Sequence, residues 1–316
     1  MATIGSSTMP PQVRDWFCDV LLSTPTPNLI YDFACQEISI PANKGDTVVR
    51  SRYNRITQLA LTPIDSNGNI PNSLDISRID IRAKVNFYGG WIESTEDVVL
   101  HVEDAFLNKS VELLGINLRE TEDKLMQDAI LTSASTYYFQ FGNNGDDPTN
   151  WSFPDVLNVA QQLEMNSAIK IIDKQQGELR FATAPVYSAF IALGHTALRT
   201  DMLADRANFL PKWNYANSQE TVSSELGSCA DFRFFISPVA PVSATSSAMG
   251  RTIYYLSMMG MESTMKVLQD RFSSHIVYRD PKIVDPLGFK WTLSYISCLG
   301  QSLIQDLWCV NALLTV

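Results

Sequence analysis

The sequence predicts an α+β protein with long projecting parts, and three observations carry that reading. Short alternating apolar stretches crowd both ends of the chain, a proline-free amphipathic run fills roughly residues 96 to 134, and a mixed region of roughly 100 residues follows. Composition agrees. A chain of 316 residues suits one large or two modest domains, and 45% apolar residues is ordinary for a globular protein. Charged residues make up only 18%, below the usual quarter, which fits a surface hidden against partners.

The chain opens with an arm, residues 1–35, in which Pro10, Pro11, Pro25 and Pro27 punctuate a Ser/Thr-rich stretch and only "VRDWFCDVLL" clusters apolar residues. Such an arm needs another surface to order it. Residues 36–86 then read as a long hairpin. "CQEISIP" and "DTVVRSRYN" are alternating stretches joined by "ANKG", and "TPIDSNGNIPNSLDIS" supplies a loose polar tip with Asn67-Gly68 as its turn. A projection of this kind has little core of its own.

Residues 87–149 contain the clearest element, a long helix. Leu107, Val111, Leu114, Leu118 and Leu125 recur at three- and four-residue steps, broken near Thr121. Its polar face pairs Glu120 with Lys124, and Arg119 with Glu122 and Asp123. At 1.5 Å per residue, about 30 residues would span roughly 45 Å, the length of a strut. The loop "FGNNGDDPTN" ends this part, and Asp146-Asp147 within it reads as a solvated turn. From 150 to 250 strands and helices mix, with "HTALRTDMLAD" helical and "DFRFFISP" a strand. Residues 251–316 return to strand-like runs, including a strand, a turn at Asp285-Pro286-Leu287-Gly288, and a further strand in "FKWTLSYISC".

Charge is uneven between neighbours. Residues 44–84 carry seven bases against four acids, net +3, whereas residues 93–128 carry ten acids against three bases, net −7. Lys44, Arg50, Arg52 and Arg55 on the hairpin, and Glu120, Glu122 and Asp123 on the helix, are therefore candidates for contacts matched across subunits. The overall charge of −10 argues against a nucleic-acid reader, because counterion release needs clustered Lys and Arg against phosphate.

The chemical inventory is thin. His101, His195 and His275 are the three histidines, and no metal-ligand spacing links them. His195 with Asp201 and Ser188 lacks a G-x-S-x-G elbow, and Ser263-x-x-Lys266 lacks the companion phrases of penicillin-binding proteins. No Walker or G-x-G-x-x-G loop appears, so neither a catalytic site nor a cofactor is expected. Cys18, Cys35, Cys229, Cys298 and Cys309 form no C-x-x-C pair, as expected of reduced, buried thiols. Neither a secretory signal nor a run of about 18 apolar residues is found, so a soluble chain made in the cytoplasm is expected.

The order of parts, with "GDTVVRSRYNR" (45–55), "SSELGSCADFRFFISP" (223–238), "SMMGMES" (257–263) and "DPLG" (285–288), resembles the major capsid proteins of tailed bacteriophages, in particular the N-four-like family of short-tailed phages. Ser224-Glu225-Leu226-Gly227 departs from that family's Gly-Glu-x-Gly phrase. The resemblance implies the HK-ninety-seven-type capsid fold: an N-terminal arm (1–35), an extended loop and the start of a peripheral domain (36–86), the peripheral domain with its spine helix (87–149), an axial domain (150–250) and return strands (251–316). It implies self-assembly into hexamers and pentamers of an icosahedral shell that encloses double-stranded DNA. Its partners would be the portal and scaffolding or decoration proteins, without a membrane, and its place the virion. An encapsulin-like compartment shares that fold. A soluble hydrolase using His195 is the alternative of another class.

Overall fold

A computed structural model describes residues 26–32, 35–56, 73–95, 106–171, 188–215, 224–270, 272, 274–279, 287 and 289–316. The tip of the hairpin, His101, Cys18 and, apart from Leu287, the Asp-Pro-Leu-Gly turn lie outside the described residues. The first half of the chain forms β1 (Gln36–Ile40), β2 (Thr47–Tyr53), β3 (Arg78–Lys84), β4 (Asn86–Thr95), helix α1 (Phe106–Ser133), β5 (Ser135–Tyr138) and α2 (Phe153–Met165). The second half forms β6 (Phe190–His195), α3 (Arg199–Ala204), β7 (Phe209–Pro211), β8 (Glu225–Cys229), β9 (Phe232–Ser237), β10 (Val242–Ser246), β11 (Thr252–Met259), β12 (Thr264–Gln269), β13 (His275–Arg279), β14 (Lys290–Leu303) and β15 (Cys309–Thr315).

Strand β14 organises the first sheet. Over Lys290–Leu299 it pairs antiparallel with β4, over Thr292–Ile296 also with β13, and over Leu299–Leu303 with β12, on which β1 lies parallel. Alternation decides its faces. Trp291, Leu293 and Tyr295 turn inward to meet Leu114 and Leu118 of α1, and the Tyr295 hydroxyl lies 2.9 Å from Asn117 Oδ1. β1 therefore belongs to this sheet. The "ANKG" turn, with Asn43 and Gly45 at positive φ, is the joint where the chain leaves the sheet and not the tip of a β1–β2 hairpin.

The second sheet runs β5-β15-β11-β6-β9-β8-β7, with β10 on β11. Its central strands read as unbroken apolar runs because both faces are covered. Phe190 and Ala192 of β6 and Phe232 and Phe234 of β9 point to α2, where Val156, Val159 and Leu163 await them. Ile191, Leu193 and Phe235 point the other way, to Met126 and Ile130 of α1. The helix thus packs its N-terminal half on the first sheet and its C-terminal half on the second. At 28 residues it is about 42 Å long.

The helix buries a face that the leucine spacing marks only in part. Leu114, Glu122, Met126 and Ile130 are buried and Leu118 is half-buried, in four-residue steps, whereas Val111 is exposed and Leu125 only half-buried. Lys124 pairs with Asp128 at 3.1 Å, in place of the expected Glu120. Asp146 is not a solvated turn. Its carboxylate is buried and accepts from Ser247 Oγ at 2.5 Å and from the backbone N–H of Met249 at 2.9 Å, latching the loop to the β10–β11 turn.

Strands β2 and β3 form a separate two-stranded ribbon, Thr47 opposite Lys84 through Tyr53 opposite Arg78. Its root is held by close approach: a Cβ on Gly300 would run into the Lys84 carbonyl and stand 3.2 Å from Val85 Cα. Gly300→Ala is therefore expected to push the ribbon root off the sheet and lower stability by ~1–3 kcal/mol in denaturant unfolding, with amide exchange rising first in β3.

Candidate functional site

Beyond its root the ribbon gets little cover from the described residues of its own chain. Val48, Arg50 and Arg52 share one face with Ala83, Ile81 and Ile79, and Val49, Ser51 and Tyr53 share the other with Arg82, Asp80 and Arg78. Only the root is covered, where Ala83 is buried and Val48 and Ile81 pack on Ile40, Val267 and Cys298. Val49 is 50% and Tyr53 65% exposed, and Ile79 is exposed beside them. A two-stranded ribbon with both faces wet is marginally stable in water, so this one calls for an outside surface.

Its charges are unequally used. Arg78 meets Asp80 at 2.7 Å and Lys84 meets Asp46 at 3.4 Å. Hydrogen bonds from Arg78 and Ser51 hold Asp80 below the usual carboxylate range, and the Thr47 hydroxyl and Lys84 do the same for Asp46. Arg50 Nη1 donates to Gln36 Oε1 at 3.0 Å. Arg52 and Arg55 make no ion pair among the described residues, and Nε and Nη1 of Arg52 are shielded from solvent with no hydrogen-bond partner there. Lys44 is exposed in the joint.

Of the acidic candidates, only Glu120 faces outward. It lines a cavity of about 340 Å³ between α1 and the arm root, with Glu112, Arg119, Ile116 and Leu29. Glu122 and Asp123, expected on the polar face, point into the molecule. Lys266 Nζ, itself buried, donates to Glu122 Oε2 at 3.0 Å and to Asp32 Oδ1 at 2.7 Å. Asp123 Oδ1 accepts from the backbone N–H groups of Tyr31 and Asp32, and its Oδ2 accepts from Gln127 Nε2. The reason is charge balance: the lysine on β12 is covered by the arm root, and only carboxylates beside it make that burial affordable. The sequence signal for it was the break in the leucine pattern at Thr121.

The residues weighed for chemistry do not assemble. Lys266 is committed to its two carboxylates, so Ser263-x-x-Lys266 holds no base for a nucleophile. His195 Nδ1 accepts from Ala197 N at 3.0 Å, its ring stacks on Tyr254, and burial lowers its pKa. Among the described residues no group of three His, Cys, Asp or Glu could hold a metal ion, and no helix is long and apolar enough to cross a membrane. Cys35, Cys229, Cys298 and Cys309 are free and buried. A pair that sequence reasoning passed over is Arg233 with Glu225, fully buried and bidentate at 2.9 and 2.5 Å, with Tyr215 donating to the same carboxylate. The charged residues in "SSELGSCADFRFF" carried that signal.

No protein-family model matches the chain, and no curated protein does. Solved structures do match. A chain in the capsid of Ralstonia phage GP4 superposes with a TM-score of 0.68 at 10% identity, covering 100% of this chain and 98% of that one. A chain in the capsid of the cyanophage P-SCSP1u gives 0.66 at 11% identity over 99% and 97%. A chain of Mycobacterium phage Che8 gives 0.65 at 10% over 96% and 98%. At such identities the likeness shows the fold: this is an α+β chain with the fold of phage capsid chains along its whole length.

Two outcomes test the buried polar centre. Lys266→Met strands Asp32 and Glu122 without their cation and is expected to cost ~3–5 kcal/mol in denaturant unfolding. Burial raises the pKa of Asp123 above that of a free aspartate, against the pull of its N–H donors. A raised folded-state value means that its contribution to stability is complete below the unfolded value of about 3.9 and is lost as pH rises through the folded value. Asp123→Asn should flatten the stability–pH profile in that window.

Proposed function

We propose that this chain is the major capsid protein of a tailed bacteriophage, of the N-four-like short-tailed kind, and that it assembles into hexamers and pentamers of an icosahedral shell around double-stranded DNA. The observation that carries the reading is the ribbon β2–β3, uncovered on both faces, on a chain that follows phage capsid chains from end to end. A segment that gains its cover only from a neighbour belongs to a subunit made for assembly. The role is structural rather than catalytic.

In this reading residues 1–35 are the arm and the ribbon within 36–86 is the extended loop. Residues 87–149 with the first sheet make the peripheral domain, 150–250 the axial domain, and 251–316 supply the return strands to both. Arg50, Arg52 and Arg55 of one subunit, with Lys44 at the joint, meet the neighbour's helix face at Glu120 and Glu112. Glu122 and Asp123, turned inward, take no part. Many such contacts, each modest, hold the shell by avidity. Portal and scaffolding or decoration proteins complete the particle in the virion, assembled in the host cytoplasm, and the acidic chain encloses DNA without reading its sequence.

Light scattering coupled to size exclusion, with negative-stain microscopy, tests the reading on the purified chain across concentration and salt. Closed shells, or hexamers and pentamers, are expected, and Arg50→Glu with Arg52→Glu should abolish them while leaving the subunit's melting temperature within a few degrees. Assembly indifferent to both reversals would overturn the assigned contact. A chain that stays monomeric at high concentration, with or without coexpressed scaffold, would overturn the function.

A further inference from the structure

The first sheet ends in a strand whose outer edge meets no strand among the described residues. β13 and β4 both pair with Thr292–Ile296 of β14, so they lie on its opposite edges, and the backbone of Asn86–Thr95 bonds to no described strand but β14. Other free edges are blunted. β7 has three residues and ends in Pro211, β5 has four, β1 carries Glu37, β13 carries Arg279, and both ribbon strands carry arginines. β4 has none of these devices. It runs for ten residues, "NFYGGWIEST", in unbroken register with β14, with Glu93 as its one charge and no proline.

Its two faces differ. Ile92 turns inward to the cluster of Leu114, Trp291, Leu293 and Tyr295, and by alternation Phe87, Gly89, Trp91 and Glu93 share the outer face. Phe87 is 70% and Trp91 61% exposed, and between them Gly89 leaves the backbone bare, since a Cβ there would stand 2.8 Å from the Tyr295 carbonyl oxygen. A long, apolar, unpaired edge beside an exposed indole is a template for another strand.

The sequence of the strand identifies its partner. Backbone N–H and C=O groups along β4 point alternately toward β14 and away from it, so two copies can pair antiparallel only with a residue, not a peptide bond, on the two-fold axis between them. With Gly90 on that axis, Asn86 through Ser94 all find a partner: Phe87 faces Glu93, Tyr88 faces Ile92, and Trp91 faces Gly89. Each indole then covers the bare backbone of the other copy's glycine. Glu93, held by Lys290 at 2.7 Å, meets Phe87 and not its own copy, so no like charges oppose.

We infer that β4 is a two-fold contact between copies of this chain, in which the first sheets of two subunits join edge to edge through antiparallel β4 strands. Contacts around a hexamer or pentamer are head-to-tail, whereas this one is isologous and links one ring to the next. Its place in a shell rests on the capsid reading, and the pairing itself does not.

Oxidative crosslinking of the full chain tests it. Facing residues in paired antiparallel strands have Cα atoms roughly 4.5–5.5 Å apart, within disulfide range. Phe87→Cys with Glu93→Cys in one chain should give a reducible dimer, as should a mixture of the two single variants, whereas either single variant alone should give little. Adding Trp91→Glu to the pair should cut the dimer about tenfold. Amide exchange on the unaltered chain reads the same contact without substitution: β4 should gain protection when dissociated subunits associate. No dimer in the double variant, single variants as reactive alone as mixed, or β4 exchange that is the same in dissociated and associated subunits would each overturn the contact. Shells that form without the crosslink overturn it and leave the capsid reading standing, and crosslinked dimers that never build rings keep the contact and overturn the capsid reading.

Discussion

A lysine ammonium cannot be buried alone, and the architecture follows from how Lys266 is accompanied. Its strand, β12, sits inside the first sheet, its carboxylates come from the arm root and the middle of α1, and the next residue of the helix, Asp123, takes the arm's backbone N–H groups. Three segments distant in sequence must therefore arrive together. Once they do, the helix is fixed where it can lie over both sheets, Leu114 against one and Ile130 against the other. Arg233 and Glu225 repeat the device inside the second sheet with a bidentate pair, in which two parallel N–H donors set orientation as well as charge.

The ribbon stands in contrast to this interior. Its root is set by the close approach at Gly300, and beyond the root its apolar residues meet solvent. Pairing within the ribbon satisfies Arg78, Asp80, Lys84 and Asp46, whereas two nitrogens of Arg52 are shielded and unsatisfied. Beyond the root, then, both faces of the ribbon expose apolar side chains, Val49 and Tyr53 on one and Ile79 on the other.

Much of the fold was legible in residue order. Period-two alternation marked β2 and β14, and the apolar runs in "DFRFFISP" and "TIYYLSMM" marked the strands β9 and β11. What escaped were long-range choices. Nothing local tells β1 to pair with β12, 229 positions away at Gln36 and Met265, and not with β2. Glu122 and Asp123 read as a solvated face because spacing shows where a side chain points along a helix but not what covers it. The basic ribbon was legible as charge excess.

The last strand gives the second sheet a history. β15 lies between β5 and β11, parallel to one and antiparallel to the other, and each of its seven residues is buried. Without it β5 has no strand to pair with and β11 presents a bare edge, so the sheet is closed only by a strand inserted between them. A chain lacking Cys309–Thr315 would keep an open seam through this core. A single strand thus closes the seam between two parts of the chain that lie more than a hundred residues apart, β5 and β11.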